Sequence, residues 1–248
     1  MHSLFSASQF RSTEKNWELH YFEETDSTNQ QAKEYILKNP PSSPCVFLAE
    51  QQSSGRGRRA NSWESEAGKD LLMTAVIETE LPLSEVHKVA TSVALALANV
   101  MQSYKLMPQV KFPNDIYIDG LKVAGILIEQ IKGFTLIGIG INVNSTPVLE
   151  TATSIFSQLD YEISREELLS TILNQLVQKV SLCQHHYQSI IEGIAPLDLF
   201  YNRELQYTMD SKVFRGIGKG LSKNGYLLID HGTGAIEVDS GHDFRLIV

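Results

Sequence analysis

Hydrophobic and polar positions change period along the chain, and the changes mark its elements. Residues 16–24, NWELHYFEE, alternate as a half-buried strand does. The next stretch, DSTNQQAKEYIL at 26–37, has helical spacing and opens on Ser27 with Gln30 three residues on, the spacing of a capping box. The turn run NPPSSP ends that helix. CVFLAE at 45–50 and DLLMTAVIE at 70–78 are short apolar runs that read as strands. Residues 84–104 form a largely apolar helix expected to pack on the sheet. QVKFPNDIYIDGLKVAGILIEQ, 109–130, reads as two or three strands with Asp119-Gly120 as a two-residue hairpin signal, and FTLIGIGINVN, 134–144, completes the group. One long helix is predicted over 164–194, started by the capping pair Ser164 and Glu167. Beyond residue 204 the pattern becomes short strands, such as 226–230 and 235–238, separated by NG, GTG and SGHD, which indicates a small β-barrel.

Strands joined by hairpins and flanked by a few helices predict an α+β fold, a mixed and mainly antiparallel sheet, rather than repeated βαβ units. Two domains are expected, 1–203 and the barrel 204–248, with no internal repeat. The 248 residues are 42% apolar and 20% charged, the profile of a globular chain with one sizeable core. No apolar run approaches the ~18 residues of a membrane span, and the start lacks a secretory profile, so a cytoplasmic location without membrane contact is expected. Cys45 and Cys183 have neither disulfide nor metal-ligand spacing and read as reduced core thiols. His185 and His186 are adjacent rather than four apart, which does not suit a metal site.

Charge singles out one segment. SSGRGRRANSW, 53–63, places Arg56, Arg58 and Arg59 within four residues of a chain whose net charge is −8. A protein that tracks a nucleic-acid backbone spreads its cations widely, so a tight cluster on an acidic background points to a small, local anion. The segment lacks the features of the familiar phosphate loops. GIGKGLSK at 216–223 has no Ser or Thr after its lysine, and GIGIN at 138–142 has no third glycine and no following helix. Taken singly, GRGRR reads as a solvated turn, Lys111 in KFPND as an exposed strand-end lysine, and DSTN as a helix cap. Together DSTN, QxxGRGRR, KFPND and GIGINVN lie in order on one sheet.

On those motifs, with Trp63 after the arginines and KVAGILIE at 122–129, the chain resembles the biotin protein ligases from about Tyr21 to its C-terminus. The resemblance implies a class II synthetase-like (biotin/lipoate ligase) fold with an SH3-like C-terminal barrel, and biotin, ATP and Mg²⁺ as reactants and cofactor. It also implies two steps, formation of biotinyl-5′-AMP with release of pyrophosphate, then transfer of biotin to a lysine of a biotin carboxyl carrier protein domain. Lys111, Arg56 and Arg58 are the catalytic cations it implies. Ser27, Thr28, Asn29 and Gln52 correspond to biotin contacts, together with Gly55 and Gly57, whose backbone N–H groups would approach ligand oxygens. Arg59, Trp63, Asn114 and Asn142 fall to the nucleotide, and Asp115 or Asn114 to Mg²⁺.

Three features depart from the family pattern. Phe112 replaces the usual tryptophan and keeps an aromatic for packing. Ala60-Asn61 stand where Gly-Arg is frequent. The residues ahead of Asp26 are too few for the winged helix-turn-helix of bifunctional members, so a ligase that does not bind DNA is expected. A lipoate or octanoate ligase of the same fold and a non-catalytic nucleic-acid-binding protein are the competing readings. The sequence leaves monomer and homodimer open.

Overall fold

The computed structural model describes residue 5 and residues 17–79, 81–239 and 243–247. Asn16, most of the N-terminal stretch read for a targeting signal, and most of the SGHD separator lie outside the described residues. Seven strands form the larger sheet: β1 (Glu18–Thr25), β2 (Cys45–Gln52), β3 (Leu71–Glu78), β4 (Gln109–Lys111), β5 (Asp115–Ile118), β6 (Leu121–Ile131) and β7 (Phe134–Ile141). Their order is β1-β2-β3-β7-β6-β5-β4. Only β1 and β2 run parallel, joined by the crossover helix α1 (Thr28–Lys38), and the remaining pairs are antiparallel. The expected hairpin joins β5 to β6, with Asp119 and Gly120 both at positive φ (51° and 78°), as a type I′ turn requires.

The central strands read as unbroken apolar runs because both sheet faces are covered. Phe47, Val76 and Leu136 pack with Ala32 and Ile36 of α1. Val46, Leu48, Leu71 and Met73 point the other way, into the main core with α2 (Val86–Ser103) and α4 (Arg165–His185). Cys45 and Cys183 are both free and buried. A short helix, α3 (Ile155–Leu159), follows β7. One buried ion pair crosses the core: Arg165 Nη1 donates to Glu50 Oε2 at 2.6 Å.

Two expectations about helix ends are corrected. Ser27 sits at the N-cap of α1, but its side chain caps nothing. Gln30 turns outward to Glu34, while the Thr28 N–H is taken by Gln52 Oε1 at 2.7 Å, so a neighbouring strand does what the capping box would have done. The long helix is two: it breaks at His186 (φ −144°, ψ 51°), and α5 (Tyr187–Ile194) turns so that Ile190 and Ile194 are buried beside α2 and α4. The apolar spacing continues through the break, which hides it from a periodicity reading. Ser164 does cap α4, accepting from the Glu167 N–H at 3.2 Å.

The C-terminal part is a five-stranded antiparallel sheet in the order β11-β10-β9-β8-β12, built from β8 (Glu204–Met209), β9 (Lys212–Leu221), β10 (Leu227–Asp230), β11 (Ala235–Val238) and β12 (Asp243–Leu246). It has its own core around Phe200, Tyr207, Ile229 and Phe244. Phe112 belongs to that core, its ring edge-on to Phe244 at 5.6 Å. The aromatic at the second place of KFPND therefore anchors the C-terminal sheet to the strand end that carries Lys111. Among the described residues no helix is long and apolar enough to cross a membrane.

Candidate active site

On the face of the large sheet that carries α1, a cavity of about 170 Å³ is lined by Ser27, Thr28, Asn29, Gln52, Arg56, Gly57, Arg58, Arg59, Trp63, Lys111, Asn114 and Asp115. Twelve of the residues singled out from the sequence thus share one wall system. Each is placed by a simple device. The hydroxyls of Thr74 and Thr28 are 2.8 Å apart, and the Thr74 hydroxyl also lies 2.6 Å from Asn29 Oδ1, which fixes the start of α1 over β3. Asn29 fits because position 138 is glycine: a Cβ there would lie 2.3 Å from Asn29 Oδ1.

The glycine-arginine segment is an ordered turn, closed by Gly57 N–H to Asn61 O (2.7 Å) and Trp63 N–H to Gly55 O (2.9 Å). The expectation that Gly57 offers its N–H to a ligand is therefore corrected, because that donor is spent within the loop. Gly55 lies off the cavity wall and is needed for another reason, since a Cβ on it would come within 2.6 Å of Trp63 O. Arg58 reaches inward, Nη1 donating to Asn114 Oδ1 at 3.1 Å. Burial and the neighbouring Arg59 push the Arg58 pKa down, while Asp115, Asp239 and Asp243 oppose them. An arginine starts so high that it remains a cation at neutral pH. Arg56 Nη2 lies 3.9 Å from Glu129 Oε2. Burial raises the Glu129 pKa, but hydrogen bonds from Asn29 and Lys33 and the charges of Lys33 and Arg56 outweigh it and hold the carboxyl below its ordinary value.

Lys111 ends β4, where the Asn114 N–H returns to Lys111 O at 3.2 Å across a cis Phe112-Pro113 bond. Its Nζ stands 3.4 Å from the Tyr117 hydroxyl. Trp63 lies flat on a bare patch of sheet: Gly125 and Gly140 are cross-strand partners, and a Cβ on either would approach its ring to 2.8 or 2.4 Å. Beyond Trp63 a second cavity of about 460 Å³ is lined by Asn142, Ser145, Thr146 and Lys122. Asn142 lies there and not in the first cavity, its Nδ2 donating to Thr153 O at 2.9 Å.

Asp115 Oδ1 is engaged by Lys122 Nζ at 2.9 Å and Asn114 Nδ2 at 3.1 Å. Among the described residues no three metal-ligating side chains converge. Asp115 and Asp243, both on the first cavity, suit a magnesium ion whose remaining ligands are substrate phosphates and water, the usual manner for this ion. Lys122, Asp243 and Phe244 are site residues that sequence reasoning missed. Lys122 stood inside the recognised KVAGILIE run, whereas β12 carries no local signal.

The chain is similar to known proteins over most of its length. Residues 21–145 match the model of the biotin/lipoate A/B protein ligase family. The bifunctional ligase/repressor BirA of Bacillus subtilis is 26% identical over 242 residues, 89% of this chain and 71% of that protein. The biotin-[acetyl-CoA-carboxylase] ligase of Mycobacterium tuberculosis is 23% identical over 226 residues, covering 88% and 85% of the two chains. The fold is shared with the biotin protein ligase of Aquifex aeolicus solved with biotin and ATP, at a TM-score of 0.83 and 23% identity over 93% of this chain and 99% of that one. With half of its length matched and its motif residues gathered at one site, the chain belongs to the biotin/lipoate A/B protein ligase family.

Proposed function

We propose that the protein is an ATP-dependent biotin protein ligase that makes biotinyl-5′-AMP and transfers biotin to a lysine of a biotin carboxyl carrier domain. The observation that carries this reading is the convergence of a polar pocket end (Ser27, Thr28, Gln52), three cations (Arg56, Arg58, Lys111) and an adjoining cavity floored by Trp63.

A cyclic urea presents one strong acceptor and two N–H donors. Ser27 lines the pocket with a hydroxyl that caps nothing, and Gln52 Oε1 is held by the Thr28 N–H and hydroxyl, so this end is preset for such a group. In the first step a carboxylate oxygen attacks the α-phosphorus, the bond to the bridging oxygen breaks, and pyrophosphate leaves with the electron pair. Two anions must meet, and charge accumulates on phosphate oxygens. Lys111, a point charge, answers both reactants, while Arg58 offers a fork to the phosphate. Each charge-assisted contact contributes ~1.5–3 kcal/mol. A magnesium ion held by Asp115 and Asp243 would add neutralisation of phosphate charge.

The purine of the nucleotide belongs in the second cavity, against Trp63 and beside Asn142. Water reaching an acyl-adenylate would hydrolyse it, and the turn 55–63, closed on itself and lining the first cavity, is placed to limit that access. In the second step the acceptor amine, deprotonated, adds to the acyl carbon and AMP leaves.

The test is mass spectrometry of the purified protein after incubation with ATP, Mg²⁺ and biotin, lipoate or octanoate. Biotinyl-adenylate formed from biotin alone is expected. Adenylation of lipoate or octanoate in its place would reassign the acid pocket, and absence of any adenylate would overturn the ligase reading.

A further inference from the structure

The two ends of an asparagine amide have nearly the same shape, so which end meets which neighbour is decided by what the neighbours donate and accept. Asn29 is buried on the wall of the first cavity. One end of its amide lies 2.6 Å from the Thr74 hydroxyl and the other 2.8 Å from Glu129 Oε2. A hydroxyl serves either end, because it both donates and accepts. Glu129 does not. Lys33 Nζ donates to its Oε1 and Arg56 Nη2 stands 3.9 Å from its Oε2, so the group is a carboxylate and only accepts. Nδ2 of Asn29 therefore faces Glu129 and Oδ1 faces Thr74, and the second hydrogen of Nδ2 has no partner among the described residues. Glu129 itself lies off the wall of the first cavity.

We propose that Glu129 is a positioning residue that holds the Asn29 amide in one orientation, with an N–H donor presented to the polar end of the acid pocket, an inference that rests on the ligase reading above. The urea oxygen of biotin is a strong acceptor, and the Asn29 N–H and the Ser27 hydroxyl are two donors suited to it. Turned over, the amide would set Oδ1 against that oxygen, two acceptors with no hydrogen between them, and the desolvated pair would cost affinity. The carboxylate on β6 thus acts on the ligand through α1. Lys33 and Arg56 keep it charged, and the bare backbone of Gly138 leaves the amide room to lie flat against β7.

The test is Glu129→Gln beside Asn29→Asp and the double variant, with calorimetric titration of biotin, of its uncharged alcohol biotinol and of ATP, and a melting curve for each protein. Glu129→Gln keeps the length of the side chain but both donates and accepts, so it no longer fixes Asn29. The expected result is a Kd raised about fivefold or more for biotin and biotinol alike, with ATP within about twofold and melting within a few degrees. Biotinol separates this effect from the lost negative charge, which acts on the carboxylate of biotin. Asn29→Asp sets two carboxylates face to face and should melt earlier. The double variant restores a carboxylate-to-amide hydrogen bond with the roles exchanged, and should regain stability while biotin stays weak. Biotin and biotinol bound within about twofold by Glu129→Gln, equal weakening of biotin and ATP, or biotin binding regained together with stability in the double variant would overturn the proposal. If Glu129→Gln does not fold, the double variant, which keeps the hydrogen bond, decides in the same way. If the unaltered protein binds no biotin, the ligase reading fails and the proposal with it, whereas biotin bound equally well with and without the Glu129 carboxylate overturns the proposal alone.

Discussion

Arg58 Nη1 donates to Asn114 Oδ1 across 3.1 Å, so the glycine-arginine turn is fastened to the turn that follows Lys111. The same amide donates from Nδ2 to Ile126 O at 3.0 Å and so ties both turns to β6. Arg58 and the strand end that carries Lys111, the cations proposed to meet phosphate, are thereby held at fixed separation, which is the condition for electrostatic stabilisation without reorganisation.

Replacing Arg58 by Ala removes both the proposed phosphate contact and this fastening. Single-turnover adenylate formation should slow by about ten- to a hundredfold, the worth of one charge-assisted contact. The adenylate that does form should also escape faster, read as the fraction retained after rapid gel filtration. A variant that forms and retains adenylate like the original protein would remove Arg58 from the mechanism.

Lys111→Ala should abolish adenylation, with a loss of roughly 3 kcal/mol or more in transition-state stabilisation. Lys111 is half-buried and its Nζ meets only the hydroxyl and ring of Tyr117 in the structure described, so thermal stability should change by no more than a few degrees. Steady-state adenylation and a melting curve on one sample separate the two. Near-normal turnover would contradict the assignment.

Two glycines two residues apart on β7 should fail in different ways. At Gly138 an added Cβ meets Asn29 Oδ1 at 2.3 Å, and at Gly140 it meets the Trp63 ring at 2.4 Å. Gly138→Ala should weaken biotin with little change for ATP, while Gly140→Ala should weaken ATP with little change for biotin, both by calorimetry. Identical effects on the two ligands would mean that the cavities are not divided at Trp63.

The glycines also show what the sequence made legible. Glycines in a strand such as GIGIN let another backbone or a ligand approach closely, and at Gly138 and Gly140 the groups that approach are instead two side chains, Asn29 and Trp63. The strands, α2 and the Asp119-Gly120 hairpin follow from local pattern, because period and turn chemistry are local, whereas the gathering of DSTN, GRGRR and KFPND at one site is what the family resemblance implies. Three things do not follow from local pattern. The break at His186 leaves the apolar spacing intact. The Gln52 bond that replaces a capping box joins residues 24 apart in the chain, Thr28 to Gln52. Asp243 reaches the cavity only because Phe112 and Phe244 pack the second sheet against the first, a tertiary event with no short-range signature.

The joint between the sheets contains a titratable weak point. Asp198 bridges to Val110, the residue before Lys111, and its Oδ1 accepts the Phe200 N–H at 2.8 Å, while Oδ2 is buried without a hydrogen-bond partner among the described residues. Burial raises its pKa from 3.8 to about 6, the Phe200 bond only partly opposing it. As pH falls through about 6 the folded protein therefore takes up this proton before the unfolded chain does. Over that window, down to 3.8, the native state holds more protons, so this group's contribution to stability falls as pH rises, and the full penalty is present above about 6. Asp198→Asn keeps the Oδ1 acceptor and removes the buried charge. It should stabilise the protein at pH 7.5 by on the order of 1–2 kcal/mol in urea unfolding, with the gain shrinking toward zero near pH 4. A gain that is the same at both pH values would show that packing, and not ionisation of Asp198, sets the difference.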